Sequence, residues 1–196
     1  MLARLKRETE TQRAPADEGR LEPLRTSATR SGYAAYLTRI YGFEAPIEAA
    51  LRTTRDLGQL VDLRWRSYIR LLIEDLAALD VPVASVPTTD VPRFASVTEA
   101  LGWMYVIEQS AMLHGQLHRH FAHRLPKEVS TAGGYLLGGS RGLGTRLNDL
   151  GAALDVHATS VDLSSRIVAV SRLAFRKQRA WFNQSIPPGV SNHAVP

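Results

Sequence analysis

The chain contains no cysteine, so the histidines carry most of its capacity for chemistry: His114, His118, His120, His123, His157 and His193. His114 and His118 stand four apart, which on a helix puts them on one face, where they could hold one metal ion. Glu108 lies too far along to join them easily, and no third or fourth ligand is evident. The pair is therefore a weak metal candidate beside the plainer reading of solvated or partly buried histidines. Glu108 itself reads as a structural hydrogen-bonding or ion-pairing group, because no second carboxylate stands at a spacing suited to acid–base work. A di-iron site would need E-x-x-H elements, and the sequence has none. The glycines from Gly133 to Gly144 form neither GxxxxGK[ST] nor a strand-bounded GxGxxG, so they predict a flexible connection rather than a phosphate cradle. The missing cysteine also excludes disulfides and thiolate catalysis.

The elements that must position these residues are all helical. A first helix is expected over 2–12, interrupted at Pro15, whose ring cannot donate a backbone hydrogen bond. A second is expected over 31–41, with Tyr33, Tyr36, Leu37 and Ile40 on one face and Ser31 placed to cap it. Gly42 and Pro46 predict a bend before a short helix holding Ile47, Ala50 and Leu51. An amphipathic segment over 65–79 closes at Pro82, and the proline-rich stretch 82–92 reads as an exposed loop. Ser96 and Glu99 have capping-box spacing and open a long helix that ends near Pro126. The last helix is expected over 162–182, with Ile167, Val170, Leu173, Ala174 and Phe175. The expected organisation is one all-α domain over 1–184 and a disordered tail over 185–196.

With 196 residues the chain has the size of one domain and enough length for a sizeable core. The net charge of +5 does not point to nucleic acid. Its arginines are spread along the chain in loose groups such as Arg64, Arg66 and Arg70, with no recognisable nucleic-acid module. No apolar run approaches the ~20 residues of a membrane span. The charged N-terminus lacks a signal-peptide core, so the expected location is cytoplasmic.

The segment from Ala100 to Arg124 resembles the distal helix of bacterial heme oxygenases. The likeness is to the phytochrome-associated members that produce biliverdin. Ala100, Leu101, Gly102, Trp103, Tyr105, Val106, Glu108, Ser110, Arg119 and His120 match that pattern without a gap. Leu5, Lys6 and Thr9 resemble the family's opening pattern. Tyr41-Gly42-Phe43, Ala45-Pro46, Glu48 and Ala49-Ala50-Leu51 resemble its second segment. The stretch 72–79 and a final helix with Phe175 and Trp181 complete the likeness. The resemblance implies a compact heme-oxygenase-like helical bundle.

Two departures alter what it implies about function. The proximal histidine position holds Arg13, and arginine offers only donors, so it cannot coordinate iron. The three distal glycines, which would let the backbone approach heme, are Gln109, Leu113 and His114. Phe175 matches a heme-contacting aromatic of the last helix, and Arg172, Arg176 and Lys177 could meet propionates or an acidic partner. The resemblance thus implies a degenerate member without heme-degrading activity. Such a protein would act by binding heme, biliverdin or another small ligand, or a partner protein such as a phytochrome-type sensor kinase. The alternative is an active enzyme that converts heme to biliverdin with His114 as a displaced axial ligand.

Overall fold

Why the N-terminal segment breaks where it does is decided by Thr9 rather than by Pro15. The computed structural model describes residues 1–66 and 68–184, with 65 and 66 by backbone only. Helix α1 (Leu2–Glu8) ends as the Thr9 hydroxyl donates to the Leu5 carbonyl at 2.8 Å. Helix α2 (Glu10–Leu21) then runs straight through Pro15. A proline there leaves the carbonyl of residue 11 without its helical donor, and residue 11 is exposed enough for water to replace it.

Helix α3 (Arg30–Arg52) is continuous where the sequence predicts a bend and two helices. Its cap is Thr29, whose hydroxyl accepts from the Gly32 amide at 3.0 Å; Ser31 lies inside the first turn. Pro46 has no N–H for the carbonyl four residues back, which belongs to Gly42. The Thr89 amide supplies the missing donor at 2.8 Å, reaching in from the proline-rich loop. The absence of a side chain at Gly42 makes this possible: a methyl group there would lie 2.3 Å from the Pro87 carbonyl oxygen and 2.5 Å from the Trp181 ring. A distant loop thus repairs the proline defect, and the helix stays whole.

After short 3-10 turns at Leu57–Gln59 and Leu63–Arg66 comes α4 (Ile69–Ala78), four residues later than the hydrophobic pattern suggests. The loop over 82–92 is irregular apart from a 3-10 turn at Val83–Ser85. Helix α5 (Val97–Ala111) opens at the expected Ser96 cap, with the box shifted by one residue: the Ser96 hydroxyl accepts from the Glu99 amide at 3.3 Å, and Glu99 accepts from the amide of Ala95, one before the cap, at 2.8 Å.

The long helix expected to follow is broken. Met112 and Leu113 make tight bonds three residues back, and a new helix, α6 (His114–Arg124), begins at once. The glycine-rich stretch is helical too, as α7 (Pro126–Ala132), α8 (Gly134–Ser140) and α9 (Leu143–His157). Several of its glycines allow close approach, since a methyl group on Gly138 would meet a Leu71 methyl of α4 at 2.8 Å, whereas Gly142 and Gly144 stand in open space. The last helix, α10 (Val161–Phe182), agrees with expectation and is capped by Ser160.

Among the described residues the fold is an all-α single domain without strands. Helix α10 packs along α5 and α2, and α4, α6 and α8 pack together beside α3. The core joins Leu37, Ile40 and Phe43 of α3 to Leu101, Met104 and Tyr105 of α5 and to Ile167, Phe175 and Phe182 of α10, all buried. Each such side chain contributes roughly 1.5–3 kcal/mol of burial. No described helix is long and apolar enough to cross a membrane. The disordered tail expected over 185–196, with His193, lies outside the described residues.

Candidate functional site

The inward face of α2 carries Arg13, Asp17 and Arg20 at helical spacing. Arg13 is held on its own helix: it donates to both Glu10 oxygens, at 2.7 and 2.8 Å, and to Asp17 at 2.8 Å. Arg20, two turns further on, is fully enclosed. It donates to Glu44 of α3 at 3.0 Å and lies 3.4 Å from His114 Nε2 of α6, with its guanidinium 5.1 Å from the centre of the Phe182 ring. Tyr135 of α8 completes the cluster, donating to the other Glu44 oxygen at 2.6 Å and lying 3.3 Å from the same His114 nitrogen. Four helices therefore meet on one buried ion pair and its two hydrogen-bonding neighbours.

The protonation of this cluster follows from its geometry. Arginine only donates, so His114 Nε2 is the acceptor and the imidazole proton sits on Nδ1. His114 is 3% exposed. Burial holds its pKa well below the ordinary 6.5, and the nearby Arg20 and Arg146 cations push the same way. Burial also raises the Glu44 carboxyl, with Arg20 and the Tyr135 hydroxyl opposing that rise. Desolvation pushes the Tyr135 hydroxyl far up, so it remains a proton donor. Three atoms around the cluster have no partner among the described residues: Arg20 Nε, His114 Nδ1 and the Tyr36 hydroxyl.

Two further contacts fix the cluster in place. The Asp75 carboxylate accepts from the Gly134 amide at 3.0 Å and the Tyr135 amide at 2.8 Å, so α4 caps α8. The Arg146 guanidinium donates to Glu108 at 3.0 Å, the Gly139 carbonyl at 2.7 Å and the Tyr68 hydroxyl at 2.7 Å. Glu108 is thus a structural ion-pair partner. His114 lies flush on Gly139: a methyl group there would be 2.2 Å from its Nδ1.

The positions singled out from the sequence have other partners in the fold. Arg13 is paired with its neighbouring acids, and Phe175 is fully buried edge-on to Tyr105 at 6.1 Å. Gln109 is half-buried, while Leu113 packs against the core beside the α5–α6 break. His114 is brought to α2, yet its one accepting nitrogen faces Arg20 and Tyr135. Arg20, Glu44, His114 and Tyr135 instead bond to one another between α2, α3, α6 and α8. His118 lies near Gly133 rather than with a second ligand, and no group of three metal-ligating side chains occurs among the described residues. Arg172 donates to the Glu8 carbonyl at 2.8 Å and Lys177 to the Asp90 carbonyl at 3.2 Å, so two of the three basic residues on α10 serve the fold.

Arg20, Glu44 and Tyr135 escape a sequence reading. The available signals were the seven-residue spacing from Arg13 to Arg20 and the lone acid in the apolar stretch around Phe43. No family model, curated protein or solved structure matches this chain.

Proposed function

We propose that this protein is a heme-oxygenase-like scaffold that has given up heme degradation and acts by binding. The observation that carries this reading is the buried Arg20–Glu44–His114–Tyr135 cluster. It ties α2 to α3, α6 and α8 across the space that the resemblance assigns to heme. Opening that space would expose or strand the Arg20 charge, which is costly without its carboxylate. Arg13 supports the same reading, because a guanidinium cannot replace an imidazole on iron. The binding partner that the resemblance suggests is a protein, with a phytochrome-type sensor kinase as the first class to try.

Hemin titration of the full chain, followed from the Soret region to the red, tests this proposal. The expected result is the spectrum of free hemin with no saturable ligated band. A sharp saturable Soret band that disappears in His114→Ala, with biliverdin formed on reduction, would overturn it in favour of a displaced axial ligand.

A further inference from the structure

We propose that the outward face of α6 docks a short acidic segment of a partner protein, held in an extended conformation. This gives the binding role inferred above a class of partner and rests on that role, not on the loss of heme chemistry.

The face is cationic from end to end. Arg119, His123 and Arg124 are exposed on α6, and Lys127 is exposed on the first turn of α7. A methyl group on Gly115 would lie 3.6 Å from Arg119 Nη1 and 3.9 Å from the Ser140 Cβ, so Arg119 leans back along α6 towards the end of α8. The exposed Arg141 follows directly there. No acidic residue interrupts the sequence between Glu108 and Glu128.

These side chains have donors to spare. Among the described residues, those of Arg119, His123, Arg124, Lys127 and Arg141 make no hydrogen bond or ion pair. On α4, by contrast, the exposed Arg70 pairs with Glu74, four residues on. Arg124 has Glu128 at the same spacing, yet the two do not pair. The chain turns between them at Leu125 (φ −135°, ψ 58°), where α6 ends and α7 begins. A face of like charge repels itself, and an anionic partner removes that cost.

The spacing selects the shape of the partner. At ~1.5 Å per residue, Arg119 stands about 6 Å along the axis from His123 and about 7.5 Å from Arg124. Alternate side chains of an extended chain stand on one side about 6.6 Å apart. Aspartate or glutamate at every second position therefore meets successive donors, and each arginine offers a carboxylate its fork. The 11 residues of α6 span about 16 Å, the length of about five extended residues. A peptide suits the face better than other polyanions. No large apolar side chain is exposed over 116–127, whereas a lipid surface or a single strand of nucleic acid would engage one.

The test is fluorescence anisotropy of a labelled peptide of six alternating Glu and Asp residues, titrated with the full chain. Saturable binding is expected, weakening several-fold at high salt, and the Gln/Asn counterpart should not bind. Arg119→Gln, Arg124→Gln and Lys127→Gln together should weaken binding about tenfold. Arg55→Gln, Arg93→Gln and Arg179→Gln together remove the same charge from exposed positions on other elements and should change it less than twofold. Absence of saturable binding or equal losses in the two triple variants would overturn the proposal. Tighter binding of a uridine hexanucleotide or of phosphatidylglycerol vesicles would overturn it too. Conversion of hemin by a chain that binds the peptide would instead overturn the loss of heme chemistry and leave the docking face intact.

Discussion

Replacing Glu44 by glutamine should be among the most damaging isosteric changes available to this chain. The substitution keeps the shape of the side chain and removes only its charge, so Arg20 is left fully enclosed without an anion. At the 3.0 Å separation of the pair and an effective dielectric of ~20, the lost attraction is about 5 kcal/mol. Removing one partner of a buried ion pair costs ~3–5 kcal/mol in general, so the two routes to the magnitude agree. For a domain of this size that corresponds to a fall in Tm of about 10 °C. The Tyr135 hydroxyl adds to the loss, because one face of the new amide presents N–H groups to a donor that now lacks its carboxylate acceptor. Urea unfolding followed by circular dichroism at matched pH gives the free energy directly. The double variant Arg20→Met with Glu44→Gln should recover at least about 2 kcal/mol relative to the sum of the single changes, since the stranded charge is gone. A loss below about 1 kcal/mol in Glu44→Gln, or strict additivity in the double variant, would refute the assignment of this pair as the link between α2 and α3.

The neutral His114 predicts an acid sensitivity of definite sign. Its folded pKa lies well below the unfolded value, so the unfolded chain takes up the proton first and stability falls as pH drops below about 6.5. The slope attributable to this residue approaches about 1.4 kcal/mol per pH unit; it should be absent from His114→Gln and so appear as the difference between wild type and variant in denaturant titrations across pH 5–7. Gly139→Ala should destabilise by about 1–3 kcal/mol, because the new methyl group collides with the His114 ring rather than with the end of a flexible chain. Thermal unfolding measures it, and an unchanged Tm would mean that α6 and α8 are not pressed together as described.

The fold was legible wherever local signals decide local structure. The cap at Ser96 and the bounds of α10 follow from side-chain bonding and hydrophobic period, which act within a few residues. Legibility failed where a distant segment overrides the local rule. Pro46 reads as a helix breaker, and only Thr89, far along the chain, cancels that effect. The glycines around Gly139 read as a flexible connection because their purpose, contact with Leu71 and His114, is invisible until the helices are assembled. His114 was recognisable as a departure from the pattern that the segment over 100–124 resembles. Its partners were not, because Arg20, Glu44 and Tyr135 arrive from three other helices and none carries a motif.

The vacancy that Pro46 leaves on the Gly42 carbonyl also leaves Thr89 without an intrahelical competitor for that acceptor. Any residue with an N–H at position 46 would compete with Thr89 for the same oxygen, and the intrahelical contender has the advantage of proximity. The proline removes that rival permanently. Attachment of the 82–92 loop to α3 is therefore written into α3 itself, and the loop's allegiance was settled by an imino acid it never touches through that bond.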